Sequence, residues 1–139
     1  MREREVIRLV AERLRSEGLS DLQVRYGAQR GADIEGRLPR SRRRLFVEAK
    51  GVRSKSSVRQ PMGEALLQIL GHYDEDVVCA IAVPFTTEYE ELLRFILPGI
   101  RKLGLHLLLV RRDEIWYNGP QTDGFFPEKV ESLVGRLDG

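Results

Sequence analysis

The sequence is poor in the residues and patterns on which several protein classes depend. Cys79 is the only cysteine, so no disulfide can form within the chain and a reducing compartment is expected. No apolar run approaches the roughly 18 residues that span a bilayer, and the charged N-terminus is unlike a secretory signal. No Cys/His spacing is typical of zinc, and no glycine-rich loop is typical of a nucleotide site. A cytoplasmic protein without a membrane anchor is therefore predicted.

The composition is that of an ordinary globular domain. The 139 residues are 42% hydrophobic and 32% charged, which fits a single domain over residues 1–139 with a core of its own. Cys79 lies inside the apolar run 77–83, where a thiol behaves as a small hydrophobic group. We therefore expect it to be a buried structural residue rather than a reactive one.

Positive charge is concentrated in one segment. From Arg25 to Arg59 there are eleven Lys and Arg residues against three acids, although the whole chain has a net charge of only +2. A local surplus of this kind suits a surface that binds a polyanion, because each neutralised phosphate releases condensed counterions. A solvated, arginine-rich hairpin explains the same charges equally well.

The hydrophobic pattern predicts alternating helices and strands. The predicted helices are 2–17, 62–73, 87–100 and 128–137, and the predicted strands are 21–26, 31–38, 44–50, 77–83, 105–110 and an edge strand at 115–117. Apolar residues on both faces of 77–83 and 105–110 indicate a buried parallel crossover. The order α-β-β-β-α-β-α-β, before the edge strand and the terminal helix, indicates an α/β fold in which a mixed sheet is flanked by helices.

Two charged residues, Glu48 and Lys50, end a hydrophobic strand. Side chains alternate between the faces of a strand, so these two share one face at a spacing of roughly 6.6 Å. If Arg40 and Ser41 form a two-residue turn, partners across the hairpin have numbers that add up to 81, and Asp33 lies opposite Glu48; another turn length would change this register. Two carboxylates beside an ammonium group suit Mg²⁺, which prefers oxygen ligands and keeps positions for water and phosphate. A structural Asp–Lys–Glu ion cluster is the alternative interpretation.

These residues resemble the motif of the PD-(D/E)XK nuclease superfamily, which includes restriction endonucleases and archaeal Holliday junction resolvases. The resemblance rests on three segments, and it covers about residues 2–83: Gly31-Ala-Asp33-Ile34, Phe46-Val-Glu48-Ala-Lys50-Gly51 and Ala65-Leu-Leu-Gln68-Ile-Leu. Ala32 stands where the family has its nominal proline. The resemblance implies a restriction endonuclease-like three-layer fold and hydrolysis of DNA phosphodiester bonds.

The resemblance also implies roles for individual residues. Asp33 and Glu48 would be the metal-binding acids, and the carbonyl of Ala49 would be a backbone ligand. Lys50 would orient or activate the attacking water, and Gln68 would lie near the metal on the second helix. The implied cofactor is Mg²⁺, with Mn²⁺ as a substitute, since a bound divalent ion acts as a Lewis acid and lowers the pKa of water.

The first helix offers a further acid for this site. At 100° per residue, Glu3 falls at the centre of the apolar face formed by Val6, Ile7, Val10 and Leu14. Glu3 also matches the first glutamate of the Glu-Arg-Glu string that opens junction resolvases, which would make it a metal ligand. Two plainer roles compete: Glu3 would only favour the helix dipole, and Gln68 would only be a polar flank beside an apolar face.

Basic residues near the catalytic strand are predicted to contact DNA. Arg53, Lys55 and Arg59 follow this strand directly and, with Arg30 upstream, would bind phosphates on either side of the cut. Other candidates have plainer explanations. Lone histidines and aromatic residues among apolar neighbours are more often core residues than ligands or base-stacking groups, and this applies to His72, His106, Trp116 and Tyr117.

The leading hypothesis from the sequence is a Mg²⁺-dependent endonuclease that acts on DNA. A homodimer is expected, because two copies would address both strands of a duplex or junction. The chain has no room for a dedicated sequence-reading domain, so structure-selective cutting or targeting by a partner protein is favoured. Two alternatives remain: a non-catalytic nuclease-fold subunit that binds DNA or a partner, and a structural α/β domain whose ion cluster is incidental.

Overall fold

A seven-stranded mixed sheet with helices on both faces forms the described part of the protein. The structure is a computed structural model that describes residues 1–27, 31–52, 57–124 and 126–139. Its elements, in chain order, are α1 (Glu3–Ser16), β1 (Ser20–Val24), β2 (Ile34–Arg37), β3 (Arg44–Ala49), α2 (Arg59–Leu70), β4 (Val77–Pro84), α3 (Thr87–Lys102), β5 (His106–Arg111), β6 (Glu114–Asn118), β7 (Glu128–Lys129) and α4 (Leu133–Asp138).

The strands lie side by side in the order in which they occur in the sequence. The first three strands are antiparallel neighbours, β3, β4 and β5 run parallel, and the last three strands are again antiparallel. The parallel pair β4 and β5, connected through α3, is the crossover that the apolar runs predict. The predicted α/β class with a mixed sheet is confirmed.

The sheet separates two hydrophobic cores, which makes the fold three-layered. Leu45, Val47 and Ala49 of β3 point into the core that contains the apolar faces of α1 and α4. Phe46 points the other way, into the core formed with α2 and α3. Alternation along β3 therefore places Glu48 on the α2 and α3 side, where a carboxylate replaces an expected apolar residue.

The C-terminal helix is shorter than its pattern predicts. A helix was expected over 128–137, but Glu128 and Lys129 form β7 and pair with Tyr117 and Trp116 of β6. The helix begins only after Ser132, whose hydroxyl accepts a hydrogen bond from the backbone N–H of Gly135. β6 consequently pairs with a strand on each side, β5 and β7, and is not the edge strand that the sequence indicates.

Helix α2 begins three residues earlier than its apolar pattern predicts. Pro61 occupies its first turn, where a missing N–H removes no hydrogen bond from the helix. Met62, Ala65 and Ile69 pack on the sheet, whereas Leu67 remains 75% exposed. The helix therefore packs on the sheet with one side only, and its outer side faces solvent.

The residues predicted to be in the core are buried or packed against aromatic rings. Cys79 is buried, and burial raises the pKa of its thiol to about 11, which fits a structural rather than a reactive role. His72 stacks on Phe46, with ring centroids 4.6 Å apart. His106 lies 2.7 Å from the hydroxyl of the buried Tyr117. None of the helices in the described ranges combines the length and the apolar character that crossing a membrane requires.

Candidate active site

The hairpin of β2 and β3 determines the positions of the candidate catalytic residues. Ile34 pairs with Val47 and Arg37 with Arg44, so partner numbers add up to 81 as the sequence predicts. The turn itself is longer than two residues, because the Arg42 N–H bonds to the Leu38 carbonyl around a four-residue connection. The register is nevertheless the one that sets Asp33 opposite Glu48.

The Asp33 side chain is held where the β2–β3 ladder ends. Hydrogen-bonded pairs alternate along antiparallel strands, so the next backbone partner of Ala49 would be Ala32. The Ala32 carbonyl instead accepts the Arg25 guanidinium at 3.0 Å. The Ala49 N–H donates to the Asp33 carboxylate at 2.8 Å, which fixes this carboxylate beside the end of β3.

Asp33 and Glu48 form a carboxyl pair within the protein. Glu48 is only 3% exposed, and burial, followed by the charge of Asp33, raises its pKa to about 8. Burial also raises the pKa of Asp33, an effect opposed by the hydrogen bond from the Ala49 N–H, by Glu48 and by the charge of Lys50. Two neighbouring carboxyl groups, one of them buried, are stabilised in their charged form by a nearby cation.

Lys50 follows the pair on the same strand and lies between two helices. Its ammonium nitrogen is 3.7 Å from a carboxylate oxygen of Glu3 in α1 and 3.4 Å from one of Glu64 in α2. The Lys50 side chain is 13% exposed, and its charge lowers the pKa values of both Asp33 and Glu48. Lys50 thus supplies positive charge to the carboxyl pair while its direct ion pairs go to the two helices.

Close backbone packing brings the start of α1 to this site. A Cβ atom on Gly51 would overlap the backbone nitrogen of Glu3, so only glycine allows the approach. The Val52 N–H donates to the Met1 carbonyl at 2.9 Å and joins the chain after β3 to the N-terminus. This contact places Glu3 beside Lys50.

The structure does not bring Gln68 to the same place. α2 begins near the end of β3 and runs back across the sheet, so Gln68 lies about 6 Å further along the helix axis than Glu64, and it is exposed. Gln60 and Glu64 occupy the first turns and face the site instead. The spacing of four residues could have predicted that Gln60 and Glu64 share one face of α2. That prediction would have required the correct start of the helix, at Arg59.

The donor set suits a divalent cation bound through few protein ligands. Within the described ranges, no three His, Cys, Asp or Glu side chains converge closely enough to hold a metal on their own. Asp33 and Glu48 offer two carboxylates, and the Ala49 carbonyl lies at the same strand end. Mg²⁺ is typically held by one or two carboxylates and completed by water and substrate phosphate, so these residues fit it.

A cleft of about 790 Å³ opens beside Lys50 between the first turns of α1 and α2. Arg2 and Arg4 line it together with Tyr26. Arg59 is exposed at the start of α2, with its guanidinium 5.8 Å from the centre of the Phe95 ring. The three other residues predicted to bind DNA lie outside the described residues: Arg30, Arg53 and Lys55.

Much of the basic segment lies away from the cleft. The arginines of the hairpin turn precede or begin β3, and Lys50 is six positions after Arg44, which is roughly 20 Å along a strand. Arg43 donates to the carbonyls of Glu75 and Val77. The part of this segment around the turn is therefore an arginine-rich hairpin, and the arginines that line the cleft come from α1 and the residue before it.

Comparison with known proteins bears on the architecture. The site lies at one end of an α/β domain in which a seven-stranded mixed sheet is flanked by helices. The chain is similar to the solved structure of an fdxN element excision controlling factor protein from Anabaena variabilis, with a TM-score of 0.54 and 19% sequence identity over 86% of this chain and 98% of that chain. No family model and no curated protein matches the sequence. At this identity, the likeness establishes a shared fold.

Proposed function

We propose that this protein is a metal-dependent nuclease that hydrolyses DNA phosphodiester bonds. The observation that carries the proposal is the Asp33–Glu48 carboxyl pair, which the β2–β3 register assembles beside Lys50. Lys50 in turn lines an open cleft. A buried and a half-buried acid beside a lysine suit metal-assisted hydrolysis of a phosphate ester. The similarity to an excision controlling factor is compatible with a role on DNA, although it concerns the fold alone.

Each residue of the site has a distinct task in this mechanism. Asp33, fixed by the Ala49 N–H, and Glu48 would hold Mg²⁺ together with the Ala49 carbonyl. When bound there, Mg²⁺ supplies Lewis acidity and lowers the pKa of a coordinated water. The Lys50 ammonium group stabilises negative charge on the phosphate. Glu3 and Glu64 orient this ammonium group through their ion pairs with it. Arg2 and Arg4 attract the polyanion into the cleft.

A cleavage assay tests this function. Labelled linear duplex, single-stranded, flap and four-way junction DNA would be incubated with the protein in Mg²⁺, Mn²⁺ or EDTA. We expect metal-dependent cutting, strongest on a branched or single-stranded substrate, and a loss of at least 100-fold in Lys50→Ala because a transition-state charge is removed.

Lys102→Ala provides the matched control, since Lys102 is an exposed lysine at the far end of α3. It should cut at the wild-type rate, and thermal unfolding should show both variants folded. Equal cutting by the wild type and by folded Lys50→Ala would exclude the assigned site. Salt-sensitive binding without any cutting would favour a non-catalytic DNA-binding subunit instead.

A further inference from the structure

The wall of the cleft carries an aromatic group that the proposed chemistry does not use. Tyr26 lies just after β1, at the start of the Tyr26-Gly27 segment, and is 38% exposed. It lines the same cleft as Lys50. An exposed tyrosine facing a cavity of this size offers a flat apolar surface to a ligand.

Arg4 extends this surface. Its guanidinium carbon lies 4.7 Å from the centre of the Tyr26 ring, a cation–π contact that holds the planar guanidinium against the aromatic ring. Arg4 itself is exposed, and Arg2 lines the cleft beside it. Tyr26 and Arg4 together form the stacking pair, and the positive charge of Arg2 accompanies it.

Charged side chains of both signs line the cleft. The acids Glu3 and Glu64 are paired with Lys50. Arg4 lies against Tyr26, and Arg2 lines the same cleft and adds a second positive charge. A ligand with planar groups and a chain of negative charges matches this lining, with its reacting phosphate directed toward Lys50.

We propose that the stacking pair binds an unpaired DNA strand and directs it to the site, an inference that rests on the nuclease function. One base would stack on the Tyr26–Arg4 surface, and Arg2 would contact an adjacent phosphate. Aromatic rings and guanidinium planes are the surfaces on which unstacked bases bind, without regard to sequence.

This surface selects unpaired over duplex DNA. The face of a base in a duplex is covered by its neighbours, so it cannot stack on a protein side chain without unstacking. The cleft volume of about 790 Å³ falls within the range of pockets that enclose small molecules, which suits a short stretch of nucleotides. A duplex would have to lie across its mouth. The substrate class is therefore single strands, flaps and frayed ends.

Binding measurements without cleavage test the proposal. Fluorescence anisotropy in EDTA would compare a labelled 15-nucleotide single strand with a blunt duplex of the same sequence. We expect Tyr26→Ala to weaken single-strand binding about 5- to 150-fold, the range measured for loss of one stacked base. Duplex binding should change less than twofold. Tyr26→Phe, which keeps the ring, should bind both ligands as the wild type does.

Tyr73→Ala is the matched control, because Tyr73 is also an exposed tyrosine but lies beyond the end of α2, outside the cleft. It should leave both affinities unchanged. Equal weakening of single-strand and duplex binding by Tyr26→Ala would overturn the proposal, as would the absence of single-strand binding by the wild type. A wild type that binds single strands through Tyr26 but cuts no DNA would refute the nuclease function and leave the stacking pair supported.

Discussion

Burial of Glu48 beside Asp33 affects the stability of the metal-free protein. The pKa of Glu48 is raised from 4.5 to about 8, so its stabilising protonated form is fully present below pH 4.5 and is lost as the pH rises through about 8. Glu48→Gln removes this ionisation. We expect the variant to unfold at a higher temperature than the wild type at pH 8, by several degrees, since 1 kcal/mol corresponds to roughly 4 °C in a chain of this size.

Thermal unfolding at pH 5 and pH 8 measures this effect. The difference between Glu48→Gln and the wild type should be small at pH 5 and large at pH 8, whereas Glu91→Gln, at an exposed position of α3, should show no such change. Added Mg²⁺ should stabilise the wild type in proportion to its binding and leave Glu48→Gln unaffected. A Glu48→Gln variant no more stable than the wild type at pH 8 would contradict the buried ionisation.

His106 predicts a pH dependence of the opposite sign. Burial, and then the charge of Arg43, lowers the pKa of His106 from 6.5 to about 4, and the Tyr117 hydroxyl is its hydrogen-bond partner. The stability contributed by the neutral imidazole is present above pH 6.5 and is lost as the pH falls through about 4. His106→Gln keeps a hydrogen-bonding group without this titration.

The free energy of unfolding of the wild type relative to His106→Gln should therefore fall between pH 7 and pH 4, by roughly 3 kcal/mol at most. Urea denaturation at several pH values measures it, and comparison of the two proteins cancels the contribution of Glu48 because both retain it. A difference that does not vary with pH would mean that the imidazole is not buried in its neutral form.

At the scale of elements, the spacing of apolar residues predicted most helices and strands. Contacts between segments that are distant in the sequence were not predictable from it. The register of β2 and β3 follows from alternation and from the turn at Pro39–Arg42, so the Asp33–Glu48 apposition was predictable. The partner of Glu128–Lys129 is a distant strand, and two residues carry no periodicity that predicts pairing. The same applies to Glu64, whose position depends on where α2 begins.

The contact between α1 and the end of β3 gives a prediction at this scale. Gly51→Ala would force the backbone of Arg2 and Glu3 away from β3, because the added Cβ overlaps it. We expect a loss of about 1–3 kcal/mol in the free energy of unfolding, as overpacking typically causes. The measurement is the denaturation midpoint, with cleavage of DNA as a second readout of the displaced Glu3.

Gly63→Ala is the matched control for this variant. Gly63 lies within α2 and has open space around its Cβ position, so alanine there should stabilise the protein by about 0.5–1 kcal/mol. If Gly51→Ala were as stable as the wild type, the N-terminal turn of α1 would have to be free to move away from the site.

At the scale of the whole molecule, positive charge is separated into two regions at opposite ends of β3. The sequence shows one basic segment, but β3 lies within it and separates the arginines of the hairpin turn from Lys50. The arginines of the hairpin turn lie at the start of β3, where the Asp138 carboxylate accepts the backbone N–H groups of Arg40 and Ser41. The cleft with Arg2 and Arg4 lies at its other end.

The salt dependence of DNA binding distinguishes these two regions. Each phosphate contact with a single strand contributes about 0.7 to the slope of log affinity against log salt. If the cleft binds the strand, Arg2→Gln combined with Arg4→Gln should reduce this slope by about 0.7, the contribution of the phosphate contact of Arg2, whereas Arg40→Gln combined with Arg42→Gln should leave it unchanged. Both double variants lose two positive charges, so a general effect of net charge would reduce the two slopes equally. A reduction confined to the hairpin variant would instead move the DNA-binding surface to the turn, and the cleft would then lack a role in attracting the strand.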